Sequence, residues 1–322
     1  MLIISENLAQ ELVSVEDAID AVAATFVAMT RGQARNFPVV REVAGYADAV
    51  YGVKAGIDTS VPFLGLKAGG YWPHNLPKGL TNHQSSTLLF DPETGRATAL
   101  VSANYLTGVR TGAASAIATR ALSRVDASVL GIIGTGGQSV YQLRATAAVR
   151  QLTRVHGWDA VPENAARFGE ACAALGLDYV VEPTAERVAA AADILITVTP
   201  SQKAMIRNGW VRPGTHISAM GADTKGKQEL DPHLVAACKV FVDEAAQSLT
   251  IGECQHAHRL GLISEIDLRP IGDVLDGTAK GRTGSDEITL FDGTGVALQD
   301  LVVANLAVRR ALASGRGVVA DY

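Results

Sequence analysis

Apolar and polar positions run along this chain in two rhythms, and the change falls near residue 124. Before it, SVEDAIDAVAATFVAMTRG has the spacing of an amphipathic helix. Ser14 can cap that helix, Glu16 and Asp17 suit its positive end, and Gly32 ends it. Residues 37–68 read as short strands broken by Gly, Pro and Asp, and HQSSTLLFDPETGRATALV as a hairpin with its turn at Asp91–Gly95. An Ala-rich helix, ANYLTGVRTGAASAIATRAL, follows over 103–122.

After residue 124 the apolar runs become continuous. ASVLGIIG, LTRVHGW, ADILITVT, GTHISAMG and CKVFVD have strand character, and QSVYQLRATAAVR and ENAARFGEACAALG are helical. A strand covered by helices on both faces has no polar side to show, so this alternation predicts an α/β protein built on a doubly wound parallel sheet. The last helix, VALQDLVVANLAVRRALASG, comes after that unit and is expected to pack back on the N-terminal part. The expected division is therefore a Rossmann-type domain at 123–296 and a discontinuous α+β domain at 1–122 and 297–322.

Composition narrows the class. At 322 residues with 48% apolar and 19% charged side chains, the chain has ample core to fold without staples and is no disordered segment. A net charge of −5 with no Lys/Arg run argues against nucleic acid. Cys172, Cys238 and Cys254 form no CxxC pair, the N-terminus lacks a basic n-region, and no uncharged run approaches a membrane span. A cytoplasmic protein is expected.

The glycine cluster GIIGTGGQS follows a strand and opens a helix. Gly134 and Gly136 permit a tight turn and close backbone approach to a pyrophosphate, and the helix N-terminus supplies N–H groups and partial positive charge. Ser139 takes the third position, where Gly or Ala is usual. Asp159, 25 residues beyond Gly134, ends the second strand of the unit. A carboxylate there can accept from both ribose hydroxyls and would repel a 2′-phosphate, which favours NAD over NADP; the alternative is an exposed turn aspartate.

Outside that unit two cations stand in apolar sequence. Lys67, in FLGLKAGGYWPH, either snorkels to solvent or serves a pocket. Arg110, in LTGVRTGAASA, has small or apolar neighbours, so a buried guanidinium there needs an anion: a ligand, or an internal carboxylate. Cys254 and His258 share a helix face at i, i+4, but no further soft ligand lies near them, and no metal is expected.

Taken in order, Arg41 in FPVVREV, Lys67 in GLKAGG, Arg110 in LTGVRTGAASAIAT, GIIGTGGQ and AMGADTKGKQELD resemble the ornithine cyclodeaminase/μ-crystallin family over nearly the full length. The resemblance implies a homodimer whose discontinuous domain binds substrate and makes the dimer sheet, with the active site in the cleft beside the Rossmann domain. Arg41, Lys67 and Arg110 would then hold a substrate carboxylate. Asp223 would handle the substrate amine, or else it caps a helix. Lys227 would lie on the cofactor side, with Thr199, Ser218, Ala219 and Met220 lining the nicotinamide half. Asn82, Arg110, Thr111, Gly137, Gln138 and Gly293 complete the implied cofactor contacts.

Three positions depart from the cyclodeaminase pattern: Asn82-His83 replaces Thr-Val, Lys54 stands near a glutamate position, and Asp292-Gly293 replaces Lys-Ser. Lysine and histidine suit a second carboxylate better than an ornithine ammonium. Arg41, Lys54, Lys67, His83 and Arg110 form a cationic set with no acid expected among them. The resemblance is then to family members that reduce a small imino acid with NADH, iminosuccinate to L-aspartate, with Lys67 the first choice of proton donor and Asp223 the second; either could instead only orient the substrate. An alanine dehydrogenase, an ornithine cyclodeaminase that recycles NAD, and a non-enzymatic nucleotide-binding protein are the alternatives.

Overall fold

Ser14 caps the helix behind it reciprocally: its Oγ accepts from the Asp17 N–H at 3.1 Å, and Asp17 accepts from the Ser14 N–H at 2.9 Å. The computed structural model describes residues 1–321 and resolves into two units, Met1–Arg110 with Val296–Tyr322, and Thr111–Gly295. The first begins with β1 (Leu2–Ile4), α1 (Glu6–Leu12), α2 (Val15–Thr30), β2 (Ala34–Asn36), β3 (Val40–Val43), β4 (Val50–Asp58), β5 (Phe63–Tyr71), β6 (His83–Phe90) and β7 (Ala97–Ser102). The hairpin turn at Asp91–Gly95 forms, with the Gly95 N–H donating to the Asp91 carbonyl at 2.8 Å. α3 (Asn104–Leu122) then crosses the division between the units.

The second unit holds β8 (Val129–Ile133), α4 (Ser139–Val149), β9 (Arg154–Trp158), α5 (Pro162–Ala174), β10 (Asp178–Val181), α6 (Ala185–Ala191), β11 (Ile194–Thr197), β12 (Gln202–Ile206) and β13 (His216–Ala219). It continues through β14 (Gln228–Leu230), α7 (Pro232–Ala237), β15 (Lys239–Val242), α8 (Ala245–Thr250), α9 (Gln255–Arg259), β16 (Leu268–Pro270), α10 (Ile271–Leu275) and β17 (Thr289–Asp292). Eight strands pair in the order β10-β9-β8-β11-β13-β17-β15-β16, all parallel. This is the doubly wound α/β sheet that the apolar runs predict, with three strands more (β10, β16, β17) than those runs announced. Strand order reverses between β8 and β11, and ligands of such sheets bind outside the carboxyl ends at that point.

The chain then re-enters the first unit as α11 (Ala297–Ser314) and β18 (Val318–Val319). The first sheet runs β18-β1-β7-β6-β5-β4-β2, with β3 also pairing with β4. β1, only three residues long and too short to show a period, pairs parallel with β7. Along β5, Phe63, Gly65 and Lys67 are buried on one face; along β4 that face carries Lys54, Gly56 and Asp58. α11 covers it closely because Gly56 and Gly65 carry no side chain: a Cβ on them would come within 3.2 Å of Leu298 and 3.1 Å of Leu301. Leu298 and Leu301 flank Asp300 on α11, so two glycines decide how near that carboxylate comes to the strands. Among the described residues no helix is long and apolar enough to cross a membrane.

Candidate active site

Two-residue alternation carries Lys54 and Lys67 to the covered face of their strands, and the β4–β5 register sets them opposite each other. The start of α3 is tied to β6 by Asn104, whose Oδ1 accepts from the Ser85 N–H at 2.8 Å. Three and six residues later, Thr107 and Arg110 share the helix face turned to the same place. Lys54, Lys67 and Arg110 are only 8%, 7% and 5% exposed. Arg41 on β3, opposite Gly52 of β4, and His83 at the start of β6 belong to the same electrostatic group.

An acid sits among these cations, contrary to the sequence expectation. Asp300, 2% exposed, accepts from Lys67 Nζ at 2.9 Å and from Arg110 Nε at 2.8 Å, both through Oδ1. The anion that Arg110 needed is therefore an internal carboxylate. Arg110 also donates to Gln299 Oε1 at 2.9 Å, and Lys67 to Thr107 Oγ1 at 3.3 Å. Burial pulls the Lys67 ammonium down to about 8; Asp300 opposes that fall while Arg110 and Arg41 add to it. Burial would raise the Asp300 carboxyl, but Arg110, Lys67 and Lys54 outweigh it and hold it below its ordinary value. His83 departs from its expected charge: burial and then Lys67 push it down to about 4, so near neutral pH it offers a neutral ring and no cation.

In the second unit the glycine turn has the form read from the sequence. Gly134 lies at φ 90°, and a Cβ there would meet Thr199 at 2.6 Å. A Cβ on Gly136 or Gly137 would meet nothing within 4 Å, so open space lies over the loop that precedes α4. Gln138 keeps a buried Oε1 with no hydrogen-bond partner. Asp159, just past β9, accepts from the Thr135 N–H at 2.7 Å and its hydroxyl at 3.2 Å through Oδ2, and from the Val161 N–H at 2.8 Å through Oδ1. It is a fixed part of the loop wall, not an unattached turn residue.

At the ends of β11 and β13, Thr199 and Met220 follow strands whose Ser218 and Ala219 have no exposed surface. The Ser218 hydroxyl lies 3.2 Å from His216 Nε2, two residues back on the same strand. Lys227 Nζ donates to Asp223 Oδ1 at 2.7 Å and to the Gly221 carbonyl at 3.1 Å, which makes Asp223 one half of an ion pair within its own loop. Gly293 donates its N–H to the Ala219 carbonyl at 3.0 Å. Asn82, in the first unit, accepts from the Asn75 N–H at 3.2 Å and donates to the Tyr71 hydroxyl at 3.2 Å, closing its own loop. Thr111 is buried in α3. The sequence reading missed Glu229, which is fully buried and accepts from Thr197 Oγ1 at 2.7 Å, Thr199 N–H at 2.7 Å and Gly221 N–H at 3.0 Å. A signal for Asp300 was present: one carboxylate between leucines in VALQDL has to find a buried partner.

Residues 1–315 match the family model described as the ornithine cyclodeaminase/mu-crystallin family. Over 321 residues the chain is 49% identical to the iminosuccinate reductase of Paracoccus denitrificans (strain Pd 1222), covering 100% of this chain and 99% of that protein. The crystal structure of the Paracoccus denitrificans iminosuccinate reductase in complex with NAD+ matches with a TM-score of 0.94 at 48% identity, covering 100% of this chain and 99% of that one. An archaeal alanine dehydrogenase dimer with bound NAD matches with a TM-score of 0.94 at 35% identity, covering 100% and 99%. With the family model matched over residues 1–315, this protein belongs to the ornithine cyclodeaminase/mu-crystallin family.

Proposed function

We propose that this protein reduces a small dicarboxylic imine with NADH, iminosuccinate to L-aspartate. The observation that carries this reading is the arrangement around Asp300: two buried cations share one oxygen of one carboxylate, and Lys54 is a further buried cation in its field. Desolvated like charges are costly, and a ligand bringing two carboxylates offsets that cost where one bringing an ammonium adds to it. The 49% identical iminosuccinate reductase supports the same substrate.

Arg110 and Arg41 hold the carboxylate beside the imine, and Lys54 with the neutral His83 ring holds the second carboxylate. The Lys67 ammonium, with its pKa brought down to about 8, gives a proton from Nζ to the imine nitrogen. Asp223, held by Lys227, is the second choice for that proton. Bound NADH supplies the hydride. The open space over Gly136 and Gly137 at the start of α4 fits its pyrophosphate, Asp159 fits its ribose hydroxyls, and the Thr199 and Met220 segments fit the nicotinamide half. Two related structures hold NAD, which supports this choice.

A homodimer belongs to the same proposal. Val43, Tyr46, Tyr51 and Tyr71 are exposed on β3, the loop after it, and the paired ends of β4 and β5, and the related alanine dehydrogenase is a dimer. Cys172, Cys238 and Cys254 are free thiols, which supports a reducing, cytoplasmic setting.

The test follows NADH oxidation with imines formed from oxaloacetate or from pyruvate and ammonia. The dicarboxylic imine should react far faster, aspartate should outperform alanine in reverse, and ornithine should give no proline. Equal rates for the two imines would remove the dicarboxylate reading and leave an amino-acid dehydrogenase.

A further inference from the structure

A carboxylate that only neutralises an arginine normally meets it as a fork, oxygen for nitrogen, in two parallel bonds. Asp300 does not. Arg110 reaches it through Nε alone, at the oxygen that also takes Lys67 Nζ, and Oδ2 is buried with no hydrogen-bond partner. One atom, Oδ1, therefore registers two cations that arrive from different elements, Lys67 from β5 and Arg110 from α3.

The other groups facing Lys67 are Lys54 from β4, Arg41 from β3, His83 from β6 and Thr107 from α3. None of these is an anion. An ammonium desolvated in that company would shed its proton, and a neutral amine cannot donate one to an imine nitrogen.

We infer that Asp300 is a positioning residue for the reduction, holding Lys67 charged and aimed through Oδ1 while it keeps the Arg110 guanidinium in register beside it. The inference rests on Lys67 as the proton donor. It adds that the donor's protonation is set by a residue 233 positions away in sequence, on a helix whose approach depends on Gly56 and Gly65. In the fall of Lys67 to about 8, Asp300 is the first influence acting against burial.

The experiment compares the pH dependence of kcat/KM for imine reduction in the wild type, Asp300→Asn, Asp300→Glu, Gln299→Ala and Lys67→Arg. In parallel, the Lys67 Nζ titration is followed by NMR of ¹⁵N-lysine-labelled protein and assigned by its absence in Lys67→Arg. Asp300→Asn should move both the Lys67 titration and the alkaline limb to lower pH by about one unit or more, the usual influence of one nearby opposite charge. Asp300→Glu should recover part of that shift. Gln299→Ala loosens Arg110 without removing a charge, so it should raise KM and leave the alkaline limb in place. An alkaline limb that survives Lys67→Arg would overturn Lys67 as the donor, and the inference with it. A limb lost in Lys67→Arg but unmoved in Asp300→Asn, with the Lys67 titration also unmoved, would overturn the role of Asp300 alone. A shift in Gln299→Ala equal to that in Asp300→Asn would mean that loosening Arg110 suffices, and would overturn it as well.

Discussion

Both units bury carboxylates, but among the described residues only the first also buries lysine and arginine, and there the acid at the centre finds a different kind of partner. In the second unit Glu229 accepts from one hydroxyl and two backbone amides. Glu253 accepts from the amides of Glu229 and Leu230 at 3.0 and 2.7 Å, and Asp292 from that of Cys254 at 3.1 Å. These acids bind backbone amides of β14 and of loops. In the first unit Lys67 and Arg110 crowd onto one oxygen of Asp300, and the surrounding side chains add more positive charge. Burial raises the pKa of the three second-unit carboxyls, whose partners are mostly backbone, whereas Lys67, Arg110 and Asp300 pair side chain to side chain.

The comparison breaks most visibly at Arg110. Arg110→Lys keeps the charge and loses the planar fork, so kcat/KM should fall on the order of 10²-fold or more in steady-state assays of a correctly folded variant. Near-normal kinetics would take Arg110 out of the site. Glu229→Ala should do the reverse, costing about 2 kcal/mol of stability in denaturant unfolding because three donors lose their acceptor. If its unfolding midpoint is unchanged while its activity collapses, the two regions are not divided as described.

Asp159 lies between the two kinds, since its oxygens take loop amides yet stand at the proposed ribose site. Asp159→Ser should narrow the preference for NADH over NADPH by about tenfold in paired kcat/KM measurements, the size of one charge-assisted contact. A wild type that prefers NADPH would refute that assignment.

The smallest effect concerns pH. Burial, with Asp243 adding to it, raises the Asp292 carboxyl to about 7. A group bound to its proton more tightly in the folded state contributes stability that is full below its unfolded pKa. That contribution is lost as pH rises through about 7. Thermal melts of Asp292→Asn should therefore decline less between pH 5 and about 8 than those of the wild type; parallel curves would show that the carboxyl titrates normally.

What the sequence by itself determined is local. Ser14 with Asp17, the turn at Asp91–Gly95, the glycine turn at Gly134 and the continuous apolar strands each depend on a few neighbouring residues, and each formed as its pattern required. The cations, too, stood out as charges in apolar surroundings. Which charges meet was decided only by tertiary structure. Lys54 and Lys67 face each other through strand register, and Asp300 reaches them on a helix from the other end of the chain, admitted by Gly56 and Gly65. His83 lost its expected charge for the same reason, because its ionisation answers to burial and to Lys67 rather than to its sequence neighbours. Periodicity and capping act over a few residues and are written in order along the chain, whereas electrostatic partnership depends on distance in space, which the chain's order does not encode.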